Sequence, residues 1–268
     1  MNNRFSLQEV VAVVVGGTGV LGGAMARGLA EAGAGVAVVG RSAQRGDEVV
    51  EAIVDAGGRA VFVVADAGSR QGLQSARDTI VDVLGEPEVL VNAVGGNDPR
   101  VTVTQDLAFE EIDLVAWNDS LEMNLVAGVL LPCQVFGPAM VEAGRGSIVN
   151  IASISAHVPL SKVVAYSAAK AAVISLTQFL AREWAPHVRV NSITPGFFPG
   201  EQNRRLLYDE AGQPSARGEQ ILQHTPMGRF GEPDELVGAA VFLASQRASS
   251  FVTGADLRVD GGFLATTI

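Results

Sequence analysis

The chain has 268 residues, of which 48% are hydrophobic, and its formal net charge is −10 at pH 7. This size suits one α/β domain with a substantial core, and the acidic balance argues against a nucleic-acid surface. The single cysteine, Cys133, excludes intrachain disulfides and cysteine metal sites, and its apolar neighbours predict a buried thiol. No signal-peptide pattern or convincing membrane span is found, so we expect a cytoplasmic protein without membrane attachment and without a metal site.

Short runs rich in β-branched residues alternate with helical segments along the chain. The runs predict strands at residues 10–15, 36–39, 60–64, 89–91, 147–151, 188–193 and 257–259. The segments between them predict helices that end near residue 32, pass through 48–53, span about 71–84 and 117–143, run to about 184 and lie near 234–244. This alternation indicates a doubly wound, three-layer α/β sandwich of the Rossmann type with a seven-stranded, mainly parallel sheet.

The segment 196–231 is polar and contains no clear strand. It is too long for an ordinary connection between elements, which makes it a candidate functional lid. No repeat or linker divides the chain. We therefore predict a single domain over residues 1–268, with a substrate lid at about 196–231.

A glycine-rich turn, Gly17-x-Gly19-x-x-Gly22, follows the first strand and opens the first helix. In this context the backbone can approach a pyrophosphate, which then meets the helix N-terminus. A turn without a ligand is the alternative, but a strand before it and a helix after it favour dinucleotide binding. The predicted cofactor contacts in this turn are Gly16, Gly17, Thr18, Gly19, Val20, Leu21 and Gly22.

The end of the second strand bears on which nicotinamide cofactor binds. Gly40-Arg41-Ser42 has no carboxylate to bind the adenosine ribose and repel a 2′-phosphate, whereas a guanidinium suits that phosphate. A solvated loop arginine is the alternative interpretation. We predict that Arg41 and Ser42 contact the cofactor and that NADP(H) is favoured over NAD(H).

The third and fourth strands end in further candidate cofactor contacts. Asp66 could accept a hydrogen bond from the adenine amino group, although a cap for the following helix is the alternative. Asn92-Ala93-Val94-Gly95 places small residues where a ligand needs close backbone approach. The predicted contacts are Asp66, Ala67, Asn92, Ala93 and Gly95.

A candidate proton-transfer site lies between the fifth strand and the helix that follows it. Tyr166 and Lys170 are four residues apart, so on a helix they share one face. A loop of twelve residues could bring the Ser153 hydroxyl beside the Tyr166 phenol. The Tyr-x-x-x-Lys spacing also occurs by chance in many helices, so the surrounding chain has to support a catalytic role.

Together these features resemble the short-chain dehydrogenase/reductase family over essentially the whole chain. The matching positions are the glycine turn, Asn92-x-x-Gly95, Asn124, Ser153, Tyr166-x-x-x-Lys170, Pro195-Gly196, Thr253-Gly254 and Val259-Asp260-Gly261-Gly262. The resemblance implies that Tyr166 is the general acid/base and that Lys170 lowers its pKa and binds the nicotinamide ribose. It further implies that Ser153 holds the substrate oxygen and Asn124 anchors a water. Pro195 and Gly196 would then line the nicotinamide, and the protein would form a homotetramer.

Four residues depart from the usual pattern of this family. Val15 and Ala93 stand where the family commonly has a threonine and a second asparagine, so the two losses could compensate. Val20 occupies the usual middle-glycine position of the turn. Gly200 replaces a threonine that contacts the nicotinamide end in many relatives. None of the four removes a proton-transfer residue.

The amino-acid sequence around the predicted lid is similar to that of the sugar-acid branch of the family, the mannonate oxidoreductases or fructuronate reductases. Several polar side chains there could bond sugar hydroxyls, and Arg204 could pair with a carboxylate. A lid that is simply polar, with His157 as an ordinary loop histidine, is the alternative. The predicted substrate contacts are Asn97, Ser155, His157, Gln202, Asn203 and Arg204.

We therefore expect an NAD(P)-dependent oxidoreductase that interconverts a secondary alcohol and a ketone on a small molecule, a sugar acid such as mannonate or fructuronate. One alternative is reduction of a 3-oxoacyl carrier-protein thioester, which the acidic balance disfavours because an acidic carrier would meet basic surface. Another is a cofactor-sensing protein without turnover, which would be expected to lose Tyr166 or Lys170.

Overall fold

The computed structural model describes residues 3–200 and 203–266. Its strands are β1 (Val11–Val15), β2 (Gly35–Gly40), β3 (Arg59–Val64), β4 (Val89–Asn92), β5 (Gly146–Ile151), β6 (Val188–Pro195) and β7 (Asp256–Val259). Its helices are α1 (Val20–Glu31), α2 (Ala43–Asp55), α3 (Arg70–Leu84), α4 (Leu114–Leu121), α5 (Leu131–Glu142), α6 (Val164–Glu183), α7 (Arg204–Leu207), α8 (Ala216–His224), α9 (Val237–Ala244) and α10 (Gln246–Ser249). A π-helical segment, Glu122–Leu130, joins α4 to α5.

The seven strands form one parallel sheet in the order β3-β2-β1-β4-β5-β6-β7. The predicted sheet is confirmed, and every residue of β1 is buried because helices cover both faces. The strand order reverses between β1 and β4, where Val15 and Asn92 are register partners. In a doubly wound sheet this switch point opens a crevice at the carboxyl ends of the strands, where ligands bind.

Two apolar clusters fill the space between the sheet and the two helix layers. On one face, α1 and α9 contribute Met25, Leu29 and Ala240. On the other face, α3, α5 and α6 contribute residues such as Leu73 and Phe136. The core therefore holds the carboxyl edge of the sheet rigid on both sides.

The helix predicted at about 117–143 is interrupted by the π-helical segment. Its α-helical start lies earlier, at Leu114, because the Asp113 side chain caps it by accepting a hydrogen bond from the Ala116 N–H at 2.9 Å. Segments with the wider π turn are rare and are frequently found at functional sites. Here the segment carries Asn124, so the irregularity lies where the sequence predicts a site residue.

The predicted lid has more structure than its polar sequence indicates. It contains α7 and α8, and it shares a small apolar cluster with the rest of the domain. The buried members of that cluster are Ile154, Leu207, Ile221 and Phe263. Because Ile154 follows Ser153 directly, the lid packs against the loop that carries the predicted catalytic serine.

Two helical stretches, Leu114–Glu142 and Val164–Glu183, are long and apolar enough to cross a membrane by composition alone. Both flank the sheet, and their apolar residues Phe136, Met140, Val173 and Leu180 belong to the core. The demand for a buried face accounts for the apolar character of these helices.

Candidate active site

The glycine turn after β1 has the backbone geometry that its sequence predicts. Gly16 adopts a φ of +86°, in the left-handed region that favours glycine. A Cβ atom at Gly22 would lie 2.3 Å from the Gly16 carbonyl oxygen, so no larger residue fits there. The turn therefore lets the first helix approach the switch point closely.

The N-terminus of α1 fits an anionic group. Gly19 provides no side-chain cap, and the first turn contains no acidic residue. The Val20, Leu21 and Gly22 amides make no hydrogen bond within residues 3–200 and 203–266. Free amides at the positive end of a twelve-residue helix suit the pyrophosphate of a dinucleotide.

At the predicted adenosine end, three polar residues take different positions. Arg41 is exposed directly after β2. Ser42 caps α2, because its hydroxyl accepts from the Arg45 N–H at 3.5 Å. Asp66 is exposed and accepts from the Gly68 N–H at 3.0 Å. The cap of α3 is Ser69, which accepts from the Gly72 N–H at 3.0 Å, so the alternative interpretation of Asp66 as that cap is wrong.

Ser153, Tyr166 and Lys170 come together beyond the carboxyl end of β5. The Ser153 hydroxyl lies beside the Tyr166 phenol, and the Lys170 ammonium lies 5.6 Å from the centre of the Tyr166 ring. Lys170 is buried and donates a hydrogen bond to the Ile151 carbonyl at 2.8 Å. The predicted trio thus forms one cluster, with a phenol between a hydroxyl and an ammonium.

Burial controls the ionisation of this cluster in the protein alone. Desolvation raises the pKa of Tyr166 above its ordinary value, although the Ser153 hydroxyl acts in the opposite direction. This differs from the lowered pKa that the family resemblance implies. Desolvation also lowers the pKa of Lys170 to about 8, so most Lys170 side chains keep their positive charge at pH 7.

Asn124 holds the loop after β4 against the cluster. Its side chain is fully buried, accepts from the Gly96 N–H at 2.9 Å and donates to the Gly96 carbonyl at 2.9 Å. A Cβ atom at Gly95 would lie 2.7 Å from Asn124 Oδ1 and 3.1 Å from Lys170 Nζ. Asn124 is therefore a clamp on the Gly95–Gly96 backbone, and its role as a water anchor stays a prediction.

Asn92 belongs to a buried polar network behind the switch point. Its amide group donates to Asn150 Oδ1 at 2.8 Å and contacts the Cys133 sulfur at 3.4 Å. Among the residues described, Asn92 Oδ1 has no hydrogen-bond partner, and its register neighbour Val15 has no polar side chain to offer. Burial raises the pKa of the Cys133 thiol to about 12, which confirms a buried, protonated thiol.

Three of the six predicted substrate residues have side-chain hydrogen-bond partners within the protein. The Asn97 amide donates to Thr102 Oγ1 at 2.7 Å, and His157 Nε2 lies 3.0 Å from Asp256 Oδ2. Asn203 accepts from the Gly200 N–H at 2.7 Å, which fixes a turn of the lid. These three side chains therefore stabilise loops in the protein alone, and their contacts with a substrate stay a prediction.

The remaining substrate candidates are in contrasting environments. Arg204 is exposed and its guanidinium lies 5.7 Å from the Tyr208 ring centre. Ser155 is buried, and its hydroxyl has no partner among the described residues. Gln202 lies outside the residues that the structure describes. None of these positions is tested by a bound ligand.

The lid and the glycine turn meet at two of the residues that depart from the family pattern. A Cβ atom at Gly200 would lie 3.6 Å from Val20 Cγ2, in ordinary van der Waals contact. The extra side chain at Val20 thus faces the position where a side chain is missing, so the two departures are complementary in size. Pro195 ends β6 near this contact, and the Gly196 N–H donates to the Val259 carbonyl at 2.9 Å.

Asp256 is a site-region residue that the sequence did not indicate. Besides His157, it accepts hydrogen bonds from Ser192 Oγ at 2.6 Å and Thr194 Oγ1 at 2.8 Å. It thereby ties the loop after Ser153 to the last two strands of the sheet. Ser192 and Thr194 alternate on one face of β6, and this pair of polar residues in a buried strand was the sequence feature that could have indicated a polar partner such as Asp256.

The chain is similar to known proteins over nearly its whole length. A family model described as Enoyl-(Acyl carrier protein) reductase matches residues 18–264. An oxidoreductase of Bacillus subtilis called UxuB is 40% identical over 97% of this chain and 96% of its own length.

Two solved structures share both fold and length with the chain. A candidate D-mannonate oxidoreductase from Haemophilus influenzae with bound NAD has a TM-score of 0.90 and 36% identity, covering 98% of this chain and 97% of its own. A gluconate 5-dehydrogenase from Burkholderia cenocepacia in complex with NADP and tartrate has a TM-score of 0.87 and 32% identity, covering 98% of each chain. The chain therefore belongs to the short-chain dehydrogenase/reductase family and is an NAD(P)-dependent oxidoreductase that acts on alcohol groups.

Proposed function

We propose that the protein interconverts a secondary alcohol of a sugar acid and the corresponding ketone. The observation that carries this proposal is the Ser153–Tyr166–Lys170 cluster beside the free amides of α1. It is supported by similarity to proteins named for mannonate and gluconate.

The roles of the chain's own residues follow from their chemistry. When bound, the nicotinamide cofactor supplies the hydride acceptor or donor. During oxidation, the Tyr166 phenolate takes the proton from the substrate hydroxyl, and Ser153 holds the same oxygen by a hydrogen bond. The Lys170 ammonium favours the phenolate electrostatically, which opposes the effect of burial on the phenol's pKa.

We also propose the contacts that the sequence predicted and that no bound ligand tests. The single domain 1–268 would bind the cofactor through the glycine turn, Arg41, Ser42, Asp66, Ala67, Asn92, Ala93, Gly95, Pro195 and Gly196. The lid at about 196–231 would cover the substrate, with contacts from Asn97, Ser155, His157, Asn203 and Arg204. The protein would act in the cytoplasm.

A panel of substrates with both cofactors tests this function. We expect gluconate, mannonate or another aldonate to reduce the nicotinamide faster than the alditol of the same chain length does, measured by absorbance of the reduced cofactor. Faster turnover of every alditol than of its acid would contradict the sugar-acid assignment.

The same assay tests the cofactor preference, since exposed Arg41 and the missing carboxylate favour NADP⁺. A Michaelis constant for NAD⁺ at or below that for NADP⁺ would overturn that preference.

A homotetramer is the proposed assembly. Large apolar side chains are exposed on the outer faces of α4 and α6, namely Leu114, Val115 and Phe179. Exposed apolar side chains on a folded domain are candidate contacts between subunits, and the resemblance points to copies of the same chain. Light scattering should give a mass near four times 27.8 kDa, and a stable monomer would contradict the proposal.

A further inference from the structure

Arg217 on the lid is a cation for which the described residues provide no counterion. Its side chain is partly buried, and its Nε atom is buried without a hydrogen-bond partner among those residues. Within residues 3–200 and 203–266 it makes no ion pair with any carboxylate. A buried guanidinium N–H that lacks an acceptor is costly, so such a group in a native structure calls for an explanation.

The position of Arg217 in α8 adds to that cost. Arg217 is the second residue of the helix, which begins at Ala216 and is capped by the Ser215 hydroxyl at 3.0 Å from the Gly218 N–H. A positive side chain in the first turn is repelled by the positive end of the helix dipole. An anion beside Arg217 would satisfy the guanidinium and the helix end together.

The face of α8 that carries Arg217 is directed toward the catalytic loop. Arg217 and Ile221 are four residues apart, so they share one face of the helix. Ile221 is buried in the same cluster as Ile154, which lies between Ser153 and Ser155. Arg217 is therefore one turn along from the contact that joins the lid to this loop.

The catalytic loop carries a second buried polar group without a partner. The Ser155 hydroxyl is buried and has no hydrogen-bond partner among the described residues. Ser155 is adjacent in sequence to Ile154, and Arg217 lies one helical turn before Ile221. The lid and the catalytic loop, which share this apolar cluster, therefore each contain one buried polar group without a partner among the described residues.

Arg204 is less suited to hold such a ligand. It is exposed to solvent, and its guanidinium lies over the Tyr208 ring. An exposed cation gains little from an ion pair, because water screens the charge. Arg217 has a buried donor that no described residue engages, so a carboxylate bound there gains more.

We infer that Arg217 binds the carboxylate of the sugar acid and thereby selects acids over uncharged polyols. This inference rests on the proposed function. A guanidinium can donate two parallel hydrogen bonds to a carboxylate, which also orients the sugar chain toward Ser153 and Tyr166. Arg217 is thus a specificity residue that acts on a part of the substrate remote from the reacting carbon.

The test compares charged and uncharged substrates in matched lid variants. Arg217→Met removes the charge at similar length, Arg217→Lys keeps it, Arg204→Met tests the rival cation, and Arg205→Met removes an exposed neighbouring charge. kcat and KM are measured for gluconate and mannonate and for the alditols sorbitol and mannitol. Thermal unfolding of each variant checks that the lid is folded.

We expect Arg217→Met to raise KM for the acids by about 10- to 100-fold, as loss of a charged hydrogen bond predicts, with little change for the alditols. Arg217→Lys should recover part of this loss, and Arg205→Met should behave like the wild type. Equal effects of Arg217→Met on acids and alditols, or a selective effect of Arg204→Met alone, would overturn the inference and leave the proposed function intact. A wild-type enzyme that oxidises no aldonate would overturn both.

Discussion

Tyr166→Phe is expected to lower kcat for a sugar acid by about 10²- to 10⁴-fold, the usual contribution of a positioned general acid or base. The variant keeps the ring that packs beside Lys170 and loses only the hydroxyl that accepts or donates the substrate proton. Cofactor affinity should stay within about twofold, because the glycine turn and the α1 amides are untouched. Steady-state kinetics and a fluorescence titration of the reduced cofactor measure the two quantities.

The only other tyrosine of the chain provides the control. Tyr208 lies on the lid with its ring edge-on to Phe230 at 5.4 Å, and Tyr208→Phe keeps that packing. We expect nearly wild-type turnover from it. If Tyr166→Phe retained more than a tenth of the wild-type kcat, another group would have to be the proton carrier.

Lys170→Met should abolish most turnover and yet stabilise the fold at pH 7. Burial lowers the pKa of Lys170 to about 8, which means that the folded state disfavours its charge. At about 1.4 kcal/mol per pKa unit, removing the charge relieves on the order of 3 kcal/mol. Loss of the hydrogen bond to the Ile151 carbonyl offsets about 1–2 kcal/mol of this gain. A net increase of about 1–2 kcal/mol in unfolding free energy is the expected result.

The stabilising effect of Lys170→Met on the free energy of unfolding should decrease as the pH rises. Between pH 8 and about 10.5 the unfolded chain binds the Lys170 proton more strongly than the folded protein does. The Lys170 side chain therefore increases the wild-type free energy of unfolding as the pH rises, and the difference in stability between Lys170→Met and the wild type becomes smaller. Urea unfolding at pH 7 and pH 9.5 measures the difference, with Lys162→Met, an exposed lysine, as the control. If the difference in unfolding free energy between Lys170→Met and the wild type did not change with pH, burial of the Lys170 charge would not be its cause.

The parts of the fold that short sequence patterns encode could be predicted closely. The first two strands are short, continuous runs rich in valine, and β1 and β2 begin and end within one residue of the predicted bounds. The glycine turn and the Tyr166–Lys170 spacing are equally local. Their chemistry requires particular residue types at fixed separations, and such separations are visible in the chain.

Features that depend on distant partners could not be predicted in the same way. His157 meets Asp256 across 99 positions of the sequence, which no local pattern encodes. The π-helical segment contains neither proline nor a distinctive polar pattern, so the sequence did not indicate where it lies. The direction of the Tyr166 pKa shift likewise depends on burial, which follows from the packed structure.

The lid has some features that a local sequence pattern predicts and others that depend on distant partners. Its polar composition predicted a functional segment, whereas its two helices and the cluster around Leu207 appear only in the fold. The fit between Val20 and Gly200 also needed the structure, since the two residues are remote in sequence. Substrate choice is therefore the property of this protein that the sequence predicts least.

The most direct test of the account is the yield of reduced nicotinamide from the sugar acid that the wild-type enzyme oxidises fastest, measured by absorbance beside the yield of ketone. The account predicts one equivalent of reduced cofactor for each ketone formed, and almost none in the same time with Tyr166→Phe. No reduction of either NAD⁺ or NADP⁺ with any aldonate, by an enzyme that binds the cofactor, would contradict it.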